Sequence, residues 1–196
     1  MPILNAEPDL APLDLFETGD DGRRWIVAHT RPRQEKAVAR DLLAAGVPFY
    51  LPCDRRRVKV RAKVVTSRPP MFAGYVFARV AETDRVHYSP RVASVLPVHD
   101  QPRLWDDLRR VRQVLDLGEA VTVERNLEPG TVVTMRTGPL TGMTGTVVKA
   151  VGGFKFVVRV DFIRQGLSVV VDGAALGVAS AAVATPTESQ NPHPSN

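Results

Sequence analysis

Between Arg24 and Leu117 the apolar positions switch between a period of two and a period near 3.6, as short strands alternating with helices do. Trp25-Ile26-Val27-Ala28 reads as a short strand. Thr30 suits an N-cap and Pro32 a first helical turn. The run RQEKAVARDLLAA then places Val38, Leu42 and Ala45 on one helical face, and Gly46 stops it. Residues 47–51 predict a second strand, with Pro48 at an edge or a strand start. Residues 57–65 alternate basic and apolar side chains, the pattern of a half-exposed strand, and residues 71–80 are its expected partner. A helical turn over 84–88, a strand over 92–98 and a helix over 103–117 follow, the last with Trp105, Leu108, Val111 and Leu115 on one face. The order β-α-β-β-β-(α)-β-α predicts an α+β fold, a sandwich of the ferredoxin-like kind.

Beyond residue 128 the texture changes. Residues 131–135, 146–148, 154–160 and 167–171 are β-branched runs punctuated by glycines, which predicts a small all-β barrel over 129–178 that keeps its strands permanently. The expected organisation is a disordered acidic tail over 1–22, an α+β domain over 23–118, a linker over 119–128, the barrel, and a disordered tail over 179–196.

Charge sharpens this division. Residues 1–22 carry six acidic side chains and no Lys or Arg, whereas residues 23–117 carry 20 basic against nine acidic ones, a net +11. A small domain that positive attracts polyanions, nucleic acid above all. The single cysteine, Cys53, leaves no disulfide framework and no multi-cysteine metal site. The four histidines are scattered without ligand spacing, and no P-loop, G-x-S-x-G or G-x-G-x-x-G occurs, so neither an enzyme nor a cofactor or metal is expected. His29, between a strand and a helix, suits capping or a DNA-side role better than base catalysis. No apolar run approaches a membrane span and no export signal opens the chain, which predicts a cytoplasmic protein, away from membranes and monomeric.

The segment Gly138-Pro139-Leu140-Thr141-Gly142-Met143-Thr144-Gly145-Thr146-Val147-Val148 resembles the KOW motif, in which glycines permit positive φ and close packing before a β-branched strand. Its turn residues are Gly138, Gly142 and Gly145. Arg24-Trp25-Ile26-Val27, Pro70-Met71-Phe72-Ala73-Gly74-Tyr75-Val76-Phe77 and Pro90-Arg91-Val92 resemble, in order, the N-terminal domain of the NusG family of transcription elongation and antitermination factors. His29 to Lys36 with Tyr50-Leu51-Pro52 is similar to its specialised paralogues, the RfaH-like antiterminators and relatives of polysaccharide operons (UpxY-like). An RNA- or ribosome-binding KOW protein is the alternative reading.

The resemblance implies a NusG N-terminal domain followed by an SH3-like KOW barrel, and it implies partners. Phe72, Tyr75 and Phe77 would meet the clamp helices of the RNA polymerase β′ subunit, and Thr83, Asp84 and Arg85 fall where such factors touch the β-subunit gate loop. Arg31, Arg33, Lys36, Arg40 and Arg91, with the basic run Arg55-Arg56-Arg57 on a hairpin, would lie near upstream or non-template DNA. Phe162, Ile163 and Arg164 would present the barrel to Rho or to a small-subunit ribosomal protein. Ala73 stands where the family has proline, and Phe162-Ile163 replaces its Phe-Gly.

Overall fold

The computed structural model describes residues 9–17, 21–54, 56–60, 63–82, 84, 89–125, 130–150 and 153–178, the side chains of 56–60 and 63–67 excepted. In the first half, strands β1 (Leu10–Ala11), β2 (Arg24–Thr30), β3 (Phe49–Tyr50), β6 (Tyr75–Val80) and β7 (Val92–Pro97) form an antiparallel sheet in the order β1-β3-β6-β2-β7. β4 (Arg56–Val60) and β5 (Lys63–Ser67) pair only with each other, from Arg56↔Ser67 to Val60↔Lys63. The alternating stretch expected as one strand against 71–80 is therefore a separate hairpin, and the partners of β6 are β2 and β3.

Helices lie on both faces of the sheet. α1 (Glu35–Ala44) buries Val38, Ala39 and Leu42 with Ala28, Phe49, Val76 and Ala78. α2 (Gln101–Asp116) buries Leu104, Leu108, Val111 and Val114 in the cluster holding Trp25, Val27, Tyr50 and Phe77. Since alternate strand residues point to opposite faces, Ala28 and Val27 assign the two helices to opposite sides. The ferredoxin-like arrangement, with both helices on one face, is corrected to a three-layer α/β/α stack.

Local boundaries follow the backbone. Thr30 closes β2 instead of capping a helix; α1 starts at Glu35 behind Gln34, and Ala45, expected in its buried stripe, is exposed. Gly46 at φ +67° provides the left-handed stop. In α2 the Asp100 carboxylate accepts the Arg103 N–H at 3.0 Å and caps the helix, which begins two residues earlier than expected. The turn expected over 84–88 lies outside the described residues apart from Asp84.

The acidic tail is corrected over residues 9–17. Leu10 and Leu15 are buried, β1 pairs with β3 through Leu10↔Tyr50 and Ala11↔Phe49, and Phe16 joins an aromatic cluster with Trp25, Tyr50 and Trp105. Three apolar side chains among the acids suffice, because the sheet offers them an apolar corner.

The second half is a six-stranded antiparallel sheet ordered β13-β9-β10-β11-β12-β8, from β8 (Val121–Glu124), β9 (Thr131–Met135), β10 (Thr144–Ala150), β11 (Gly153–Val160), β12 (Gln165–Val171) and β13 (Leu176–Val178). Laid flat, β12 and β13 would stand about 19 Å apart. The five Cα steps from Val171 to Leu176 span at most about 18 Å, and the 3₁₀ turn Gly173–Ala175 shortens them further. The sheet must roll up, around Phe156, Val158 and Leu167.

Residues 121–124, expected as linker, are strand: β8 extends the sheet beside β12 from Val121↔Val169 to Gly166↔Glu124. The Glu124 carboxylate accepts the Ser168 hydroxyl at 2.7 Å and the Lys155 ammonium at 3.1 Å. These bonds hold its carboxyl below the ordinary glutamate value, the Ser168 bond first. The folded state thus ionises Glu124 more readily than the unfolded chain does. That contribution is complete above the unfolded pKa and is lost as pH falls through the depressed value. Acid titration of stability is expected to show this loss in wild type and a flatter profile in Glu124→Gln.

Candidate functional site

The turn Phe72–Gly74 sets the end of β6. Gly74 takes φ +84°, its N–H donates to Glu35 Oε1 at 2.7 Å, and its carbonyl accepts the Thr30 N–H at 2.8 Å. Glu35 is buried, so one charge-assisted bond ties the first turn of α1 to this loop. Tyr75, the first residue of β6, then lies directly opposite His29 on β2, with ring centroids 5.3 Å apart. His29 is exposed and Tyr75 half-buried.

Arginines crowd the same end of the sheet. Arg31 and Arg33 are exposed in the turn after β2, Arg33 at φ 62°. The Arg31 N–H donates to the Arg91 carbonyl at 2.9 Å, and Arg91 pairs with Asp41 at 2.9 Å. Lys36 is half-buried and Arg40 exposed on α1. Arg31, Arg33 and Arg91 therefore gather beside the His29–Tyr75 pair. Arg56 and Arg57 lie on the backbone of β4, away from the main sheet, and Arg55 lies outside the described residues.

Two of the three expected aromatic anchors are corrected. Phe72 and Phe77 are 1% and 0% exposed and pack edge to face, with centroids 6.3 Å apart. Phe77 shares a face with Tyr75, as period two requires, but α2 covers that face along Phe77 and leaves Tyr75 at its margin. His29, expected in capping or on a DNA side, is instead the cross-strand partner of Tyr75, a pairing that only the strand register reveals.

In the second sheet, the loop after β11 places Phe162 exposed, Ile163 buried and Arg164 exposed in a left-handed conformation at φ 53°. Ile163 is corrected from contact residue to core residue. Phe162 lines a cleft with Val98, Arg103 and Leu104. The second sheet meets α2 here: the buried Asp107 carboxylate accepts the Asp161 N–H at 3.0 Å and pairs with Arg110 at 2.8 Å, while Arg103 bonds the Asp161 carboxylate. Burial pushes the Asp107 carboxyl up, opposed by the Asp161 N–H and the two arginines.

The glycines of the 138–148 segment divide into two kinds. Gly138 and Gly142 have φ +85° and +83° with open space around them; Gly145 has no room for a side chain, because a Cβ would meet the Phe156 ring at 2.6 Å. Among the described residues no cluster of His, Cys, Asp or Glu could hold a metal ion, and no helix is long and apolar enough to cross a membrane.

The chain thus pairs a three-layer α/β/α stack with a rolled antiparallel sheet and carries an aromatic pair beside arginines at one end of the first sheet. The family model described as transcription termination factor NusG matches residues 23–125, more than half the chain, and the chain belongs to that family. Its members act in transcription elongation and termination and are not enzymes. Curated proteins give no match to the sequence. Among solved structures, one titled "Domain interaction in Thermotoga maritima NusG" is similar at 20% identity, covering 81% of this chain and 98% of that one, with a TM-score of 0.46.

Proposed function

We propose that the chain is a transcription elongation regulator that docks on RNA polymerase with the His29–Tyr75 end of its first sheet and steadies DNA with the arginines beside it. The observation that carries this reading is the family match over the first domain, joined to one exposed aromatic pair set among cations. Family members bind RNA polymerase, and half-exposed tyrosine is an efficient interface anchor. Arg31 and Arg33 supply charge at the point where a bound duplex or single strand would pass.

The rolled sheet supports the second half of the proposal. Its last strand, β13, returns to β9 across a 3₁₀ turn, as in an SH3-like barrel, and its glycine turn fits a KOW motif. The exposed Phe162 and Arg164 are the residues through which this unit would recruit Rho or a small-subunit ribosomal protein. The likeness of residues 29–36 and 50–52 to RfaH-like antiterminators makes suppression of pausing the outcome to test, in a cytoplasmic setting.

Single-round transcription on a paused template tests the reading. Wild type is expected to shorten the pause, and Tyr75→Ala to leave it at the factor-free lifetime while melting like wild type. An equal effect of both proteins, or none of wild type, contradicts it.

A further inference from the structure

The opposite end of the same sheet face holds a second constellation. Trp25 and Arg79 are cross-strand neighbours on β2 and β6, and both lean on Trp105 of α2: the indole rings lie 6.2 Å apart, and the Arg79 guanidinium sits 5.4 Å from the Trp105 ring centre. Arg79 is 4% exposed. Its Nη2 donates to the Asp21 carboxylate at 2.6 Å, but its Nε and Nη1, and the neighbouring Trp25 Nε1, have no hydrogen-bond partner among the described residues. Buried donors left unmet are costly, and a guanidinium is built to give paired bonds to a carboxylate.

What fills this corner is residues 9–17 together with Asp21, which precede the stretch matched by the family. The segment adds an edge strand only two residues long to β3, plus one further bond from the Leu51 N–H to the Asp9 carbonyl at 2.7 Å. It puts Leu15 and Phe16 against the aromatic cluster and brings Asp21, itself largely solvated, to Arg79 from the rim. Strand edge, aromatic slot and cation are the three features that recognise an extended acidic peptide.

We propose that the Trp25–Arg79–Trp105 corner is a docking site for an acidic, aromatic-bearing segment of a partner protein, and that residues 9–17 with Asp21 are its resident stand-in. The partner's strand pairs with the β3 edge, its ring takes the place of Phe16, and its carboxylate gives Arg79 and the Trp25 indole the acceptors that Asp21 supplies only in part. A carboxylate is favoured over a nucleic-acid phosphate because the donors are buried, those of Arg79 against the Trp105 ring, within reach of a side chain but not of a polymer backbone. The proposal does not depend on polymerase binding at the His29–Tyr75 end, and its test contains no polymerase.

Both tryptophans of the chain line this corner, so intrinsic fluorescence reports on it directly. The probe is a synthetic peptide of residues 8–22, titrated into the full chain carrying Phe16→Ala and Asp21→Asn to weaken the resident segment. Saturable binding is expected. It should weaken at least tenfold when the peptide carries Asp21→Asn or the chain carries Arg79→Met, and wild-type chain should need at least tenfold more peptide. Absence of saturable binding, or equal binding of the Asp21→Asn peptide, overturns the proposal, as does peptide-free dimerisation of wild type by segment exchange. Amide hydrogen exchange on unmodified wild type gives an independent check. The Leu51 amide is expected to exchange at least a hundredfold faster than those of Val27 and Phe77; exchange of all three only through global unfolding would make residues 9–17 fixed structure and end the proposal.

Discussion

Replacing Phe77 with alanine is expected to destabilise the fold heavily, not to give an equally stable protein that has lost a surface contact. Phe77 is fully buried between the turn residue Phe72 and the α2 layer, opposite Val27 on β2 and Tyr50 on β3. Removing a buried phenylalanine side chain costs about 3–5 kcal/mol, transfer and cavity together. A domain of this size has on the order of 5–15 kcal/mol to lose. The melting temperature should fall by more than about 10 °C. Tyr75→Ala, two residues away on the same face, removes a half-exposed ring and should leave the melting curve within a few degrees. Thermal melts followed by circular dichroism separate the two; similar curves would mean that Phe77 is not in the core.

Gly145→Ala should be the most damaging single-methyl change in the glycine segment. A Cβ there would stand 2.6 Å from the buried Phe156 ring and 2.8 Å from the Val157 carbonyl. The carbonyl belongs to β11, which pairs with β10 from Thr146↔Val157 to Ala150↔Gly153, so it has little freedom to retreat. Overpacking of this kind costs about 1–3 kcal/mol, and the backbone obstacle puts Gly145→Ala at the upper end. Gly142→Ala meets no neighbour and incurs only the left-handed strain, roughly 1–2 kcal/mol. Urea melts should rank Gly145→Ala below Gly142→Ala, with wild type above both; the reverse order would place the motif's constraint in its dihedrals alone.

The residues that were legible in the sequence are those whose signal is local. The apolar run of β2, the period of two in β6 and the Gly46 stop each reflect backbone preference or period, and these survive into the fold; Gly145, read with Gly138 and Gly142 as a turn residue, lies instead within β10. Period two correctly puts Tyr75 and Phe77 on one face, but it carries no information about what covers the face. α2, thirty residues on, buries one and spares the other. Long-range partners hid the rest. Leu10, Leu15 and Phe16 look like strays in an acidic run until the Tyr50 edge and the Trp105 ring are beside them. Val121 and Val123 look like linker until β12 pairs with them. Asp107 and Arg79 would be assigned to solvent on composition, yet the tertiary fold buries both, one against the Asp161 N–H and the other against the Trp105 ring. In α2 the expected stripe of Trp105, Leu108, Val111 and Leu115 is shifted by one residue at each end. The helix serves the sheet with Leu104, Leu108, Val111 and Val114, and turns Trp105 toward Phe16.

The account stands or falls on whether the His29–Tyr75 end of the sheet is where transcribing polymerase is held. Affinity of the full chain for purified RNA polymerase elongation complexes, wild type beside Tyr75→Ala, measures this directly. The expected result is saturable binding by wild type and at least tenfold weaker binding by Tyr75→Ala, whose fold is unchanged. Equal affinity of the two, or a wild-type chain that ignores polymerase and binds ribosomal RNA instead, would contradict it.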